Sequence, residues 1–201
     1  MKSGFSLLEL VVALALLSLV TVVSLNLTRP LGLLSSRSLD RMEMHQESLI
    51  SFALLRASLQ SSAPPGLSLG DRVMAINPRS QPAVDSSGNL HWSDKLDVFY
   101  VASDELRQRR WPPAQPVPGD PAVPAFMSGS LRCKRFEGPQ LLALGNPASP
   151  ARRLAQGVQS WKVENLGPDG LIHQPIQVLL ILQRHGRKME FRRSYFLLGA
   201  S

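Results

Sequence analysis

The feature that most narrows what this chain can fold into is a run of 19 residues, positions 10–28, without a charged side chain. As an α-helix it would span about 28 Å, close to the hydrocarbon thickness of a bilayer. Lys2 precedes the run and favours a cytoplasmic N-terminus, although Arg29, Arg37 and Arg41 follow on the other side. Ala13-Leu14-Ala15 has the small-residue pattern of a signal-peptide cleavage site. The apolar run continues, however, through Leu16, Leu17, Leu19, Val20, Val22 and Val23, where a secretory signal should end. A plain membrane anchor accounts for the length. Neither reading accounts for Glu9, a carboxylate at the edge of the run. A charge at mid-membrane costs roughly 2.5–3.5 kcal/mol, and less near the edge. Positions 10–28 hold no basic residue to meet it.

Gly4-Phe5-Ser6-Leu7-Leu8-Glu9, placed just before a membrane-length run, resembles the processing site of type IV prepilins. The resemblance implies that a prepilin peptidase cuts after Gly4 and that the new N-terminal Phe5 is then methylated. It implies also that residues 1–4 are a leader and that Glu9 pairs with the N-terminal amine of a neighbouring subunit. Charge physics agrees with that role, because a buried carboxylate and a buried ammonium are each costly alone and tolerable as a pair. Glu9 would then set register during assembly. Asn26 stands where many major pilins carry a helix-kinking proline, and Pro30 follows instead.

Beyond Pro30 the sequence stays helix-like to about Gln60. Leu39, Met42, Leu49 and Ala53 share a face interrupted by Gln46, and Phe52, Leu54 and Leu55 widen the apolar stripe. Ala63-Pro64-Pro65-Gly66 stops the helix. A loop-rich region follows, with turns at Asn77-Pro78 and Ser86-Ser87-Gly88-Asn89. Residues 96–102 read as a strand, Ser103-Asp104 as a turn and 106–111 as a return strand. The proline-rich stretch 112–124 reads as a polyproline-like loop or surface excursion. Residues 154–158 lead into a strand with Trp161 and Val163 on one face, and Gly167-Pro168-Asp169-Gly170 is a turn signal. The dense apolar run 176–182 suggests a central strand. His185-Gly186 turns the chain into a strand where Met189, Phe191, Arg193, Tyr195 and Leu197 alternate with Lys188, Glu190, Arg192, Ser194 and Phe196. The expected fold class is α+β: a long N-terminal helix, membrane half plus amphipathic half, packed on an antiparallel β-sheet. The divisions are residues 1–4 (leader), 5–28 (transmembrane and assembly helix), 29–62 (amphipathic continuation) and 63–201 (sheet domain).

Within that layout, Leu131-Arg132-Cys133 and Arg153-Leu154-Ala155-Gln156-Gly157-Val158 are similar to W-type minor pilins of type IV pili. The order Leu106-Arg107-Gln108-Arg109-Arg110-Trp111-Pro112, with Arg193-Ser194-Tyr195-Phe196-Leu197 closing the last hairpin, is similar to J-type pseudopilins of type II secretion. Both resemblances imply a minor subunit near a filament tip that helps other minor subunits start assembly.

The net charge of +7 is unevenly placed. From position 29 to 131 there are 10 basic and 10 acidic residues; from 132 onward there are 11 basic and 4 acidic. Arg132, Lys134, Arg135, Arg152, Arg153, Arg187, Lys188 and Arg192 are therefore candidates for contact with nucleic acid or an acidic partner, with Arg184 and Arg193 beside them. Some filaments of the resembled family take up DNA. Alternating basic residues on the outer face of a hairpin are equally ordinary strand chemistry. The single cysteine, Cys133, has no intramolecular disulfide partner. His45, His91, His173 and His185 are scattered, and Asp94, Asp97, Asp104 and Glu105 fit no EF-hand spacing. No catalytic residue, metal site or cofactor is expected. The sequence points to a structural subunit rather than an enzyme. Its expected partners are prepilin peptidase, other minor pilins or pseudopilins, and inner-membrane lipid before assembly. The expected location is the bacterial inner membrane, single-pass, with the C-terminal domain periplasmic, and then the filament. Two alternatives are a DNA-contacting tip subunit of an uptake pilus and a membrane-anchored periplasmic domain unrelated to filaments.

Overall fold

The structure, a computed structural model, describes residues 7–70, 72–84, 86–115, 117–122, 133, 135–166 and 172–197; side chains are described for these apart from 27–37, 81–83, 165–166 and 172–174. Contacts divide the chain into two units, Met1–Glu43 and Met44–Ser201. Helix α1 runs Leu7–Gln60, ending where the sequence predicts. In the first unit, the side chains of residues 7–26 are all exposed. Pro64–Gly66 forms a short 3-10 turn after α1.

Among the described residues of the second unit, ten strands form three antiparallel sheets. Strands β1 (Leu67–Gly70), β2 (Val73–Ile76), β5 (Leu96–Ala102), β6 (Glu105–Trp111) and β7 (Arg152–Gln156) make a five-stranded sheet in the order β1-β2-β5-β6-β7. Strands β8 (Val158–Leu166), β9 (Ile172–Arg184) and β10 (Arg187–Tyr195) make a three-stranded sheet with β9 in the middle. The run 176–182 is thus part of a central strand, as its apolar density implies. Strands β3 (Arg79–Val84) and β4 (Leu90–Trp92) form a separate hairpin around the 86–89 turn. The β5–β6 turn sits at Ser103 and Asp104, both with positive φ, and the β9–β10 turn at His185 and Gly186, likewise.

Alternation along each strand sends side chains to two cores. Met74, Ile76, Phe99, Leu106, Leu154, Trp161, Val178 and Leu180 join Met44, Phe52, Leu55 and Leu59 of α1 in one core shared by both sheets. Each such side chain contributes about 1.5–3 kcal/mol when withdrawn from water. The other face of the five-stranded sheet buries Val73, Ala75, Leu96, Val98, Tyr100 and Trp111 under Phe136 and the short helix α2 (Gly138–Ala143). The sequence signals α2 poorly, since one and a half turns carry little periodicity. Trp111 meets Phe136 edge-on at 5.4 Å between ring centroids.

Three expectations are corrected. The apolar stripe of α1 is buried only in part: Phe52 and Leu55 enter the core, whereas Leu39 and Met42 are 54% and 68% exposed, and Leu49 and Ala53 are exposed too. The buried face carries Met44, Ser48, Ser51, Phe52, Leu55, Ser58 and Leu59. Serine is small enough to let the helix lie close to the sheet. Its hydroxyl is satisfied locally, Ser48 donating to the His45 carbonyl and Ser51 to the Glu47 carbonyl, both at 2.7 Å. A count of apolar residues alone therefore misses the serines of the buried face. Second, the region after Gly66 is not merely loop: it contains the β1–β2 hairpin. Third, residues 154–156 do not just lead into a strand but belong to β7, paired with β6.

Gly157 passes the chain from one sheet to the other. Its φ is +72°, and a Cβ there would collide with the Gln183 carbonyl. Its own carbonyl accepts from Gln183 N at 2.7 Å, and the next residue, Val158, donates to the Asp104 carbonyl at 2.8 Å.

Candidate functional site: the N-terminal assembly segment

Gly4 and Phe5 lie outside the described residues. The segment that follows them, Leu7–Asn26, is a 20-residue helix long and apolar enough to cross a membrane by length and composition. At about 1.5 Å per residue it matches a hydrocarbon core of roughly 30 Å. Its side chains are outward-facing leucines and valines, none buried in the molecule. The polar side chains do not spoil this surface. Ser18 Oγ donates to the Ala15 carbonyl and Thr21 Oγ1 to the Leu17 carbonyl, both at 2.8 Å, so these hydroxyls are returned to the helix backbone.

Glu9 lies near the start of the described part of α1, with its side chain exposed.

The basic candidates are distributed over several elements. Arg132 and Lys134 lie outside the described residues. Arg135 is exposed and 3.2 Å from Glu137. Arg152 and Arg153 are on β7, at the edge of the five-stranded sheet, and Arg153 is 3.5 Å from Glu105. Arg187, Lys188 and Arg192 are on β10, at the edge of the three-stranded sheet, and Arg192 is 3.5 Å from Glu190. Glu105 also takes Arg107 at 2.8 Å, which raises the Arg107 pKa. Asp97 accepts from Ser58 Oγ at 2.8 Å, anchoring β5 to α1. Among the described residues no group of three His, Cys, Asp or Glu side chains is placed to hold a metal ion. Cys133 is half-buried.

Two ionic arrangements escape a reading of the sequence, because their partners are far apart along the chain. Glu47 of α1 takes Arg184 Nη2 on both carboxylate oxygens at 2.6 Å and also accepts from Gln156 N at 3.2 Å, tying the helix to β7 and β9. On the outer face of β6, Arg109 Nη1 donates to Asp120 at 2.7 Å, with side chains 1% and 4% exposed. Asp120 also accepts from Ser149 Oγ at 2.7 Å and Asn146 Nδ2 at 3.2 Å. Burial opposes the charge on Asp120, but the hydrogen bonds from Ser149, Arg109 and Asn146 outweigh it and hold its carboxyl below the usual range. Tyr100 donates to the Asn146 carbonyl at 3.2 Å in the same cluster, and burial pushes its phenol pKa up. This knot binds the loop 112–122, and the loop carrying Asn146 and Ser149, over the sheet. The proline-rich segment is therefore pinned to the sheet at Asp120.

Residues 1–25 match the family model described as the prokaryotic N-terminal methylation motif. No curated protein and no solved structure matches the chain. A type IV pilin-like methylation motif, an apolar N-terminal helix and an antiparallel sheet domain together make a pilin-like α+β arrangement. They point to a structural subunit rather than an enzyme.

Proposed function

We propose that the chain is a minor pilin or pseudopilin, a subunit that helps initiate or cap a type IV pilus-like filament of a pilus or a type II secretion system. The observation that carries this reading is the methylation motif of residues 1–25, which takes in nearly all of the exposed apolar helix Leu7–Asn26. In this reading prepilin peptidase cleaves after Gly4, and Phe5 becomes the N-methylated first residue. The helix resides in the inner membrane with its N-terminus cytoplasmic and the sheet domain periplasmic until extraction into the filament. Glu9 then meets the amine of a neighbouring subunit, since a carboxylate and an ammonium entering an apolar filament core stabilise one another.

Mass spectrometry of the protein from its native host tests the processing step. A mature N-terminus at N-methyl-Phe5 is expected; an intact Met1 or a cut after Ala15 would remove the filament reading. The Glu9→Ala variant is expected to be processed normally and to incorporate poorly. Normal incorporation would contradict the pairing role.

A further inference from the structure

We propose that the groove between the C-terminal part of α1 and the open edge of β10 is a docking site for an extended, acidic segment of a partner protein. The groove encloses about 620 Å³. Phe52, Leu59 and Tyr195 form its buried floor. The Tyr195 hydroxyl donates to the Phe52 carbonyl at 3.2 Å, which fixes how far strand and helix stand apart. Leu49 and Phe196, 47% and 69% exposed, project at its rim. An apolar floor with exposed apolar flanks suits alternate side chains of an extended peptide.

The backbone points the same way. Among the described residues β10 pairs only with β9, so one row of its N–H and C=O groups faces away from the sheet. Arg193, Ser194 and Tyr195 at the end of β10 line the groove together with Phe196 just beyond it, which places that end of the edge along it. An open edge of this kind is a template for one more strand.

Charge selects the sign of the occupant. Arg56 of α1 and Arg193 of β10 both line the groove and are exposed, and among the described residues no carboxylate is ion-paired with either. Both guanidiniums act on the Tyr195 hydroxyl, pulling its pKa down against the larger upward effect of burial, so they flank the same point of the floor. A segment alternating carboxylates with apolar side chains would satisfy these two cations and the floor at once. The groove lies wholly within the Met44–Ser201 unit, so the proposal stands apart from the filament reading.

The test uses the full chain in detergent micelles and a fluorescently labelled peptide that alternates Glu with Val and Phe, followed by anisotropy. Saturable binding is expected. The same peptide with Lys for Glu should not bind, and N-methylation of alternate backbone nitrogens should weaken binding by removing strand pairing. Arg56→Glu combined with Arg193→Glu should weaken it about tenfold or more, with circular dichroism reporting an unchanged fold, whereas Lys95→Glu before β5 should leave it unaltered. Lack of binding by the Glu peptide, equal binding of the Lys peptide, indifference to N-methylation or indifference to the double variant would each overturn the proposal. So would displacement of the peptide by dihexanoyl phosphatidylglycerol or by oligothymidylate, which would assign the groove to a lipid or a nucleic acid.

Discussion

Replacing Asp120 by Asn keeps the shape of the side chain and removes the charge that holds Arg109 inside the domain. Both side chains are almost fully buried, at 4% and 1% exposure, and their ion pair is 2.7 Å long. Arg109 has two further buried donors, Nε and Nη2, without a partner among the described residues, so nothing else there offsets its charge. Removing one member of a buried pair costs about 3–5 kcal/mol. For a domain of this size that corresponds to a fall in Tm of roughly 6–20 °C. Thermal melts of the full chain in detergent, followed by circular dichroism at neutral pH, measure it. Replacing both partners with apolar residues, Arg109→Met with Asp120→Leu, should recover most of the loss, because no charge is then buried alone. The pH dependence has a defined sign. The carboxyl of Asp120 titrates below its ordinary value of 3.8 in the folded chain, so its stabilisation is present above that value and is lost as pH falls through the folded pKa. The Asp120→Asn variant should show a flatter acid limb. A single variant that melts within about 2 °C of the parent, or a double variant as unstable as the single, would refute the reasoning.

Four further outcomes are expected. Glu47→Gln should cost roughly 1–2 kcal/mol in urea denaturation, since the Arg184 clamp is charge-assisted but partly solvated. Leu55→Ala should cost about 2–5 kcal/mol while Leu39→Ala stays within about 0.5 kcal/mol, although both leucines belong to the apolar stripe read from the sequence. Gly157→Ala should destabilise by about 1–3 kcal/mol, measured the same way, because positive φ and the Gln183 carbonyl both exclude a side chain. Tyr195→Phe, which deletes the hydroxyl bonded to the Phe52 carbonyl, should cost about 0.5–1.5 kcal/mol in the same assay.

Much of the architecture is legible in residues 7–60 and 172–197, where local physics dominates. A run of 19 uncharged, mostly apolar residues is long enough to be read as a helix, and the Ala63-Pro64-Pro65-Gly66 stop marks where α1 has ended. The 176–182 run and the His185-Gly186 turn likewise specify strand, turn and strand without help from distant residues. What the sequence hides depends on partners far along the chain. Serine on a buried helix face reads as polar until the sheet that needs close approach is known. Arg109 and Asp120 read as surface charges because the loops that seal them are recognisable only as proline-rich or irregular. The strands β1, β2 and β7 are 4 or 5 residues long, too short for alternation to stand out. The methylation motif within residues 1–25 is legible because it lies in spacing along the chain and not in tertiary contact.

The hand-over at Gly157 has a consequence for how such a chain can drift over evolutionary time. One amino acid separates β7 from β8, and the amide and carbonyl groups around it are committed to Asp104 on one side and Gln183 on the other. An insertion there would shift every downstream residue of β8 by one pleat and turn Trp161 from the interior to water. The single-residue step between the sheets should therefore keep its length as related sequences diverge.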